Sequence, residues 1–222
     1  MEKLLLVIVE SALETVPPEI HRHPAVLKHA KRLGKDPSKI LLDTSYHHWA
    51  MKNLQEAEKR GRPDIVHFSL LEALGSPLNL EGRLETYVAT RSGHVIHLNP
   101  SVRLPRVYDR FKGLMEQLLD KGEVSSPSGE RLLSLERAPL KTLVERLQPS
   151  LKVLMTERGE TQSLHTVLKT RRPMVMVGGF PHGEFSRETE ELADMRVSLC
   201  RRPLEAWTVV SRVLCMAEQL MI

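Results

Sequence analysis

Apolar and polar residues fall along this chain in short blocks whose lengths suit strands and helices by turns. Residues 3–9 (KLLLVIV) are a continuous apolar run, the pattern of a strand covered on both faces. Residues 39–42 (KILL) repeat that pattern and end at Asp43. Residues 46–60 have helical character and stop at Gly61. Residues 65–68 are predicted as a short third strand, and residues 69–74 as a helical turn before Gly75. LETYVAT and HVIHL, separated by Arg91, Ser92 and Gly93, predict a β-hairpin. Pro105 suits the first position of a helix, where its missing N–H costs nothing. Val107, Phe111, Leu114, Met115, Leu118 and Leu119 then keep helical spacing. Residues 121–131 are polar with Gly, Ser and Pro, and are predicted as a mobile loop.

The last third has a cleaner rhythm. Strands are predicted at 152–155, 174–177 and 196–199, and helices at 162–169, 188–194 and 204–221. Alternating β and α elements predict an α/β fold, with a mostly parallel sheet and helices on both faces.

Composition changes this picture little. A chain of 222 residues fits one domain, or one domain with a sizeable insertion, and can bury a core without disulfides or metals. Aromatics are 4% of the chain, which argues against a surface dominated by base stacking. Lys and Arg number 32 against 28 Asp and Glu, a net charge of +4, so positive charge matters only where it clusters. Two cysteines, Cys200 and Cys215, in regular apolar segments suggest a reduced, intracellular protein. The first apolar run reaches Glu10 too soon for a signal peptide, and no run approaches the roughly 20 residues of a membrane span. A cytoplasmic location is the expectation.

Three stretches invite chemistry. The first is GGFPHG at residues 178–183, a glycine loop straight after a buried strand. Such a loop lets a ligand approach the backbone at the carboxyl end of a strand, although a tight turn has the same composition. The next strand and loop, RVSLCRRPLEAW, offer Leu199, Cys200 and Leu204 as an apolar pocket wall whose backbone groups suit a purine edge; a core strand entering a core helix is the competing reading. No dinucleotide or Walker fingerprint is present.

The second is SVRLPRVYDR at residues 101–110. If Pro105 opens the helix, Arg106 and Arg110 share one face and Arg106 sits in the first turn. Arg103 precedes them in an extended approach. Three guanidiniums at a helix N-terminus make a grip for phosphate, and a solvated helix face is the competing reading. The third is Arg62-Pro63-Asp64, where Asp64 is placed to hold Arg62 in a fixed fork, or to make an ordinary surface ion pair. The ten histidines lack the spacing of a helical zinc site, so no metal is expected.

Together these stretches resemble a known family. RPDIVHFSLLEALGSPLN, HLNPSVRLPRVYDRFKGLMEQLL, ILLDTSYHHWAM and VGGFPHG are similar to segments of the ribosome-biogenesis pseudouridine-N1 methyltransferases of the SPOUT class, and to archaeal-type members in particular. The resemblance runs from the first strand to Met221. It implies a single domain over residues 1–222 with a family-specific hairpin insertion near 75–105, a sheet ending in a trefoil knot, and a homodimer. It also implies S-adenosylmethionine as cofactor, a small-subunit rRNA hairpin loop as substrate and ribosome-assembly proteins as further partners. Carried over by motif, Met155, Gly178, Gly183, Arg196, Val197, Ser198, Leu199, Cys200 and Arg201 are expected around the cofactor. Arg62, Asp64, Arg103, Arg106 and Arg110 are expected to meet the RNA, with Asp64 as the one candidate general base. A non-enzymatic RNA-binding assembly factor and a tRNA methyltransferase of the same class are the alternatives. The first would share the arginines and need no cofactor pocket.

Overall fold

The structure is a computed structural model and describes residues 1–200 and 202–220. In chain order the elements are β1 (Leu4–Ser11), α1 (Pro24–Leu33), α2 (Thr44–Met51), α3 (Pro63–Gly75), α4 (Pro77–Leu80), β2 (Leu84–Thr90) and β3 (His94–Leu98). They continue with α5 (Tyr108–Lys121), β4 (Glu123–Ser125), β5 (Arg131–Arg137), α6 (Leu140–Leu147), β6 (Leu151–Thr161) and α7 (Leu164–Val167). The chain closes with β7 (Pro173–Gly178), α8 (Arg187–Leu192), β8 (Met195–Ser198) and α9 (Ala206–Gln219).

One eight-stranded sheet has the order β4-β5-β3-β2-β1-β7-β6-β8. Its five strands from β2 to β8 are parallel, and β3, β5 and β4 extend it antiparallel. The expected α/β class with a mostly parallel sheet is therefore present. Strand β1 shows why the sheet needs cover on both sides. Leu4, Leu6 and Ile8 pack with Val66 and Leu70 of α3, Phe111 of α5 and Val210 of α9. Leu5, Val7 and Val9 turn to the other face, against Leu143, Val144 and Leu147 of α6. Burying each such side chain contributes roughly 1.5–3 kcal/mol, which makes disulfides unnecessary. Both cysteines are free.

Several local expectations fail. Residues 65–68 belong to α3 and not to a strand. Pro63 opens the helix, and apolar residues cover most of its circumference, so a short window carries no readable period. Ile40, Leu41 and Leu42 are buried and extended but lie outside the sheet, joined to the segment before them by an isolated bridge, Thr15 to Leu41. The helix expected over 46–60 ends at Met51. Residues 121–131 supply the end of α5, all of β4 and the start of β5, with a turn closed by Ser126 N–H donating to the Glu130 carbonyl (2.8 Å). The hairpin expected near 75–105 is β2–β3, and β2 joins the sheet beside β1.

Helices α1 and α2 form a satellite on the main core, around Val26, Ala30, Leu42 and Met51. Between them His29 Nδ1 meets His47 Nε2 at 2.9 Å, and the Asp43 N–H donates to His47 Nδ1 at 3.1 Å. Burial pushes the His47 pKa down to about 4 and lowers that of His29 as well. Asp43, also buried, accepts from the Tyr108 hydroxyl (3.0 Å) and from Lys112 Nζ (3.1 Å), which fastens α2 to α5.

At the sheet edge, Val197 of β8 pairs in register with Met155 and again with Glu160, both on β6. The intervening residues of β6 cross so closely that a side chain at Gly159 would lie 2.6 Å from the backbone of Arg196 and Val197.

Candidate active site

The parallel strands β6, β7 and β8 end side by side, and a cavity of about 450 Å³ opens there. Open α/β sheets bind ligands at the carboxyl ends of their strands because the loops there can shape a crevice. Met155 and Arg158 border the cavity from β6, Val177 to Phe185 from the end of β7, and Val197 to Cys200 from β8. The head of α9 and Arg62 complete its wall. The structure thus brings Met155, Gly178, Gly183, Val197, Ser198, Leu199 and Cys200 together around one cavity.

Arg196 is a correction. Its side chain is exposed and pairs with Glu190 of α8 (3.5 Å); it does not itself line the cavity, and strand alternation buries its neighbour Val197 instead. Arg201 lies outside the described residues.

The glycine loop has a specific support that the sequence did not single out. Glu10 ends the apolar part of β1 in a left-handed conformation (φ 49°). Its carboxylate accepts from the Ser186 N–H (2.7 Å) and from Lys59 Nζ (3.1 Å). Gly183 lies against that lysine with φ +103°, a conformation that side-chain-bearing residues avoid, and a Cβ there would stand 3.1 Å from Lys59 Cε. An acidic residue closing a buried strand was the one available signal for this brace.

Arg62 stands at the N-terminus of α3 and donates twice to Asp64: Nε to Oδ1 at 2.8 Å and Nη2 to Oδ2 at 2.7 Å. This is the bidentate fork expected from Arg62-Pro63-Asp64. The hydrogen bonds to Asp64 raise the Arg62 pKa further and keep the guanidinium charged. Each carboxylate oxygen accepts one of these hydrogen bonds, which fixes the orientation of Arg62.

The arginine segment differs from expectation in detail. Helix α5 starts at Tyr108, with Val107 extended before it (φ −77°, ψ 121°), and Pro105 does not open it. The Pro105 carbonyl lies 2.7 Å from His67 Nε2, which ties the segment to α3 one turn beyond Arg62. Arg106 therefore precedes the helix and shares no helix face with Arg110. Val102 and Leu104 are buried while Arg103 and Arg106 are exposed, and Arg110 is exposed in the first turn of α5. Asp109 pairs with Lys112. Among the described residues no group of His, Cys, Asp or Glu is arranged to hold a metal, and no helix is long and apolar enough to cross a membrane.

A parallel sheet with a cofactor-sized cavity at its strand ends, one wall of which is a fixed guanidinium beside exposed arginines, defines an α/β protein built to bring a small molecule and a polyanion together. More particularly, the chain belongs to the EMG1/NEP1 methyltransferase family, whose model matches residues 6–218. It is 49% identical over 215 residues to the ribosomal RNA small subunit methyltransferase Nep1 of Thermococcus kodakarensis, covering 95% of this chain and 96% of that one. The protein of the same name from Staphylothermus marinus is 45% identical over 222 residues, covering 99% and 96%. Among solved structures, Archaeoglobus fulgidus Nep1 bound to S-adenosylhomocysteine superimposes with a TM-score of 0.91 at 40% identity, covering 100% of this chain and 99% of that one.

Proposed function

We propose that this chain is an S-adenosylmethionine-dependent methyltransferase of small-subunit rRNA, acting on N1 of a pseudouridine in a hairpin loop during ribosome biogenesis in the cytoplasm. The observation that carries this reading is that Arg62 belongs to two surfaces at once. It lines the cavity, and it is fixed by Asp64 on the helix to which the arginine segment is tied. The Nep1 relatives and the S-adenosylhomocysteine-bound structure support both halves.

The cavity suits the cofactor. Its volume lies within the range of small-molecule sites, and Met155, Val177, Phe180, Leu199 and Val209 give it apolar walls beside backbone polar groups. S-adenosylmethionine supplies an already activated methyl group on a positive sulfur. The protein's own task is positioning, which can be worth several kcal/mol in a two-reactant step. Arg103, Arg106 and Arg110 hold the RNA backbone. Arg62 sets a positive charge at the cavity wall, where it favours the nucleobase anion formed as the N1 proton passes to water; N1 then takes the methyl group and S-adenosylhomocysteine leaves. Asp64 is a positioning residue. The target lies in a loop, so little stacking is lost when it enters the site.

The homodimer and the threaded C-terminal segment belong to the same proposal. Exposed Phe68 on α3, set edge-on against Trp207 of α9 (5.2 Å), supports a partner surface there. The double pairing of Val197 with Met155 and Glu160 supports the thread.

The test is radiolabelled methyl transfer to an rRNA hairpin carrying pseudouridine and to the same hairpin carrying uridine. Label on the pseudouridine hairpin alone is expected. Equal labelling would remove the N1 specificity, and no labelling of either by protein that binds S-adenosylmethionine would overturn the enzymatic reading.

A further inference from the structure

Positive charge is concentrated in residues 21–62, which hold ten Lys and Arg against four Asp and Glu, while the whole chain is only +4. Half of these cations are neutralised. Lys35, Lys39, Lys59, Arg60 and Arg62 pair with Glu116, Asp120, Glu10, Glu14 and Asp64. Arg22, Lys28, Lys31, Arg32 and Lys52 make no ion pair among the described residues, and all five are exposed.

Beside them stands Trp49, 67% exposed in the middle of α2. A tryptophan left this open on a two-helix satellite is not explained by packing. Lys52 Nζ lies over its ring at 4.2 Å, and His48 meets it edge-on at 5.5 Å. One turn earlier on the same helix stripe, Tyr46 carries the Arg32 guanidinium over its ring at 4.6 Å. Arg32, Tyr46, Trp49 and Lys52 thus make one continuous row of cations and rings across α1 and α2.

This row begins at the candidate active site. The Thr44 N–H at the head of α2 donates to the Gly61 carbonyl (2.8 Å), next to Arg62. Asp43, the N-cap, holds Tyr108 at the head of α5. Trp49 lies about 9 Å further along the helix axis, at 1.5 Å per residue from Asp43.

We propose that α1 and α2 form a second RNA-contacting surface, on which an unpaired nucleobase flanking the target loop stacks on Trp49 while Lys28, Lys31, Arg32 and Lys52 hold the adjoining phosphates. The row of cations calls for a polyanion, and the open ring between them calls for a π-face, a combination that single-stranded RNA supplies. The inference rests on the reading of the chain as an RNA methyltransferase and extends that reading to the substrate's flanks.

The test compares two RNAs in fluorescence anisotropy: a minimal pseudouridine hairpin, and the same hairpin with single-stranded extensions on both sides. Wild-type protein should bind the extended RNA more tightly. Trp49→Ala should weaken that complex on the order of tenfold and leave the minimal hairpin unchanged, and Trp49→Phe should restore most of the loss. A Lys28→Ala/Lys31→Ala double variant should lower the salt slope for the extended RNA by roughly two units. Equal affinity of wild type and Trp49→Ala for the extended RNA, in protein that still methylates the hairpin, would overturn this inference alone. Loss of methyl transfer by wild type to either RNA would instead count against the parent reading.

Discussion

The cavity at the strand ends and the arginine face beside it are built by opposite means. The cavity is a product of backbone. Three strand termini, a glycine loop and a close crossing of β6 over β8 shape it, and its apolar lining is continuous with the core. The arginine face is a product of side chains, in which Arg103, Arg106 and Arg110 project from a stretch anchored by buried Val102 and Leu104, the His67 contact to Pro105 and the head of α5. A site for a small cofactor needs a fixed shape, because apolar walls and backbone groups act only at contact. A site for a charged polymer needs fixed charges, since Coulomb attraction tolerates small displacements. Arg62 is where the two meet, and Asp64 holds it there in a bidentate fork.

That contrast can be broken most forcefully at the cavity. Gly183→Val places a β-branched side chain at φ +103° against Lys59, so the whole loop must shift. S-adenosylmethionine affinity is expected to fall roughly a hundredfold by calorimetry, with the hairpin still bound. Unchanged cofactor affinity would mean that the loop's shape does not matter.

A smaller effect tests the junction. Asp64→Ala frees Arg62 without touching the other arginines. Single-turnover methyl transfer should slow about tenfold through misplacement, while cofactor affinity stays within about twofold. Loss of both together, or of neither, would deny Asp64 its positioning role.

The smallest change belongs to the arginine face. Arg106→Ala should weaken RNA binding evenly across sequences and reduce the slope of log affinity against log salt by roughly one unit. A salt titration identical to wild type would take Arg106 off the RNA surface.

Much of this was legible before the fold was known, and the reasons differ between the two regions. The Arg62–Asp64 fork was readable because both partners lie within three residues and Pro63 stiffens the link. The cavity's glycine loop was readable as a break after an apolar strand. What holds that loop was not: Glu10, Lys59 and Ser186 are far apart in the chain, and only the sheet brings them together. The misassigned strand at 65–68 and the misplaced start of α5 have separate causes. A helix buried on most sides shows no period in a short window, and the Pro105 carbonyl is occupied by a histidine 38 residues away.

By itself, then, the sequence determined the α/β alternation, the buried central strand, the position of the glycine loop and the identity of the arginines, because each depends on neighbours within a few residues. Only the tertiary structure decided that Arg62 lines the cavity, that Arg196 pairs with Glu190 and does not line it, and that Trp49 stands exposed next to Lys52. Those facts depend on which distant segments share a sheet edge or a helix face, and local pattern carries no information about that choice.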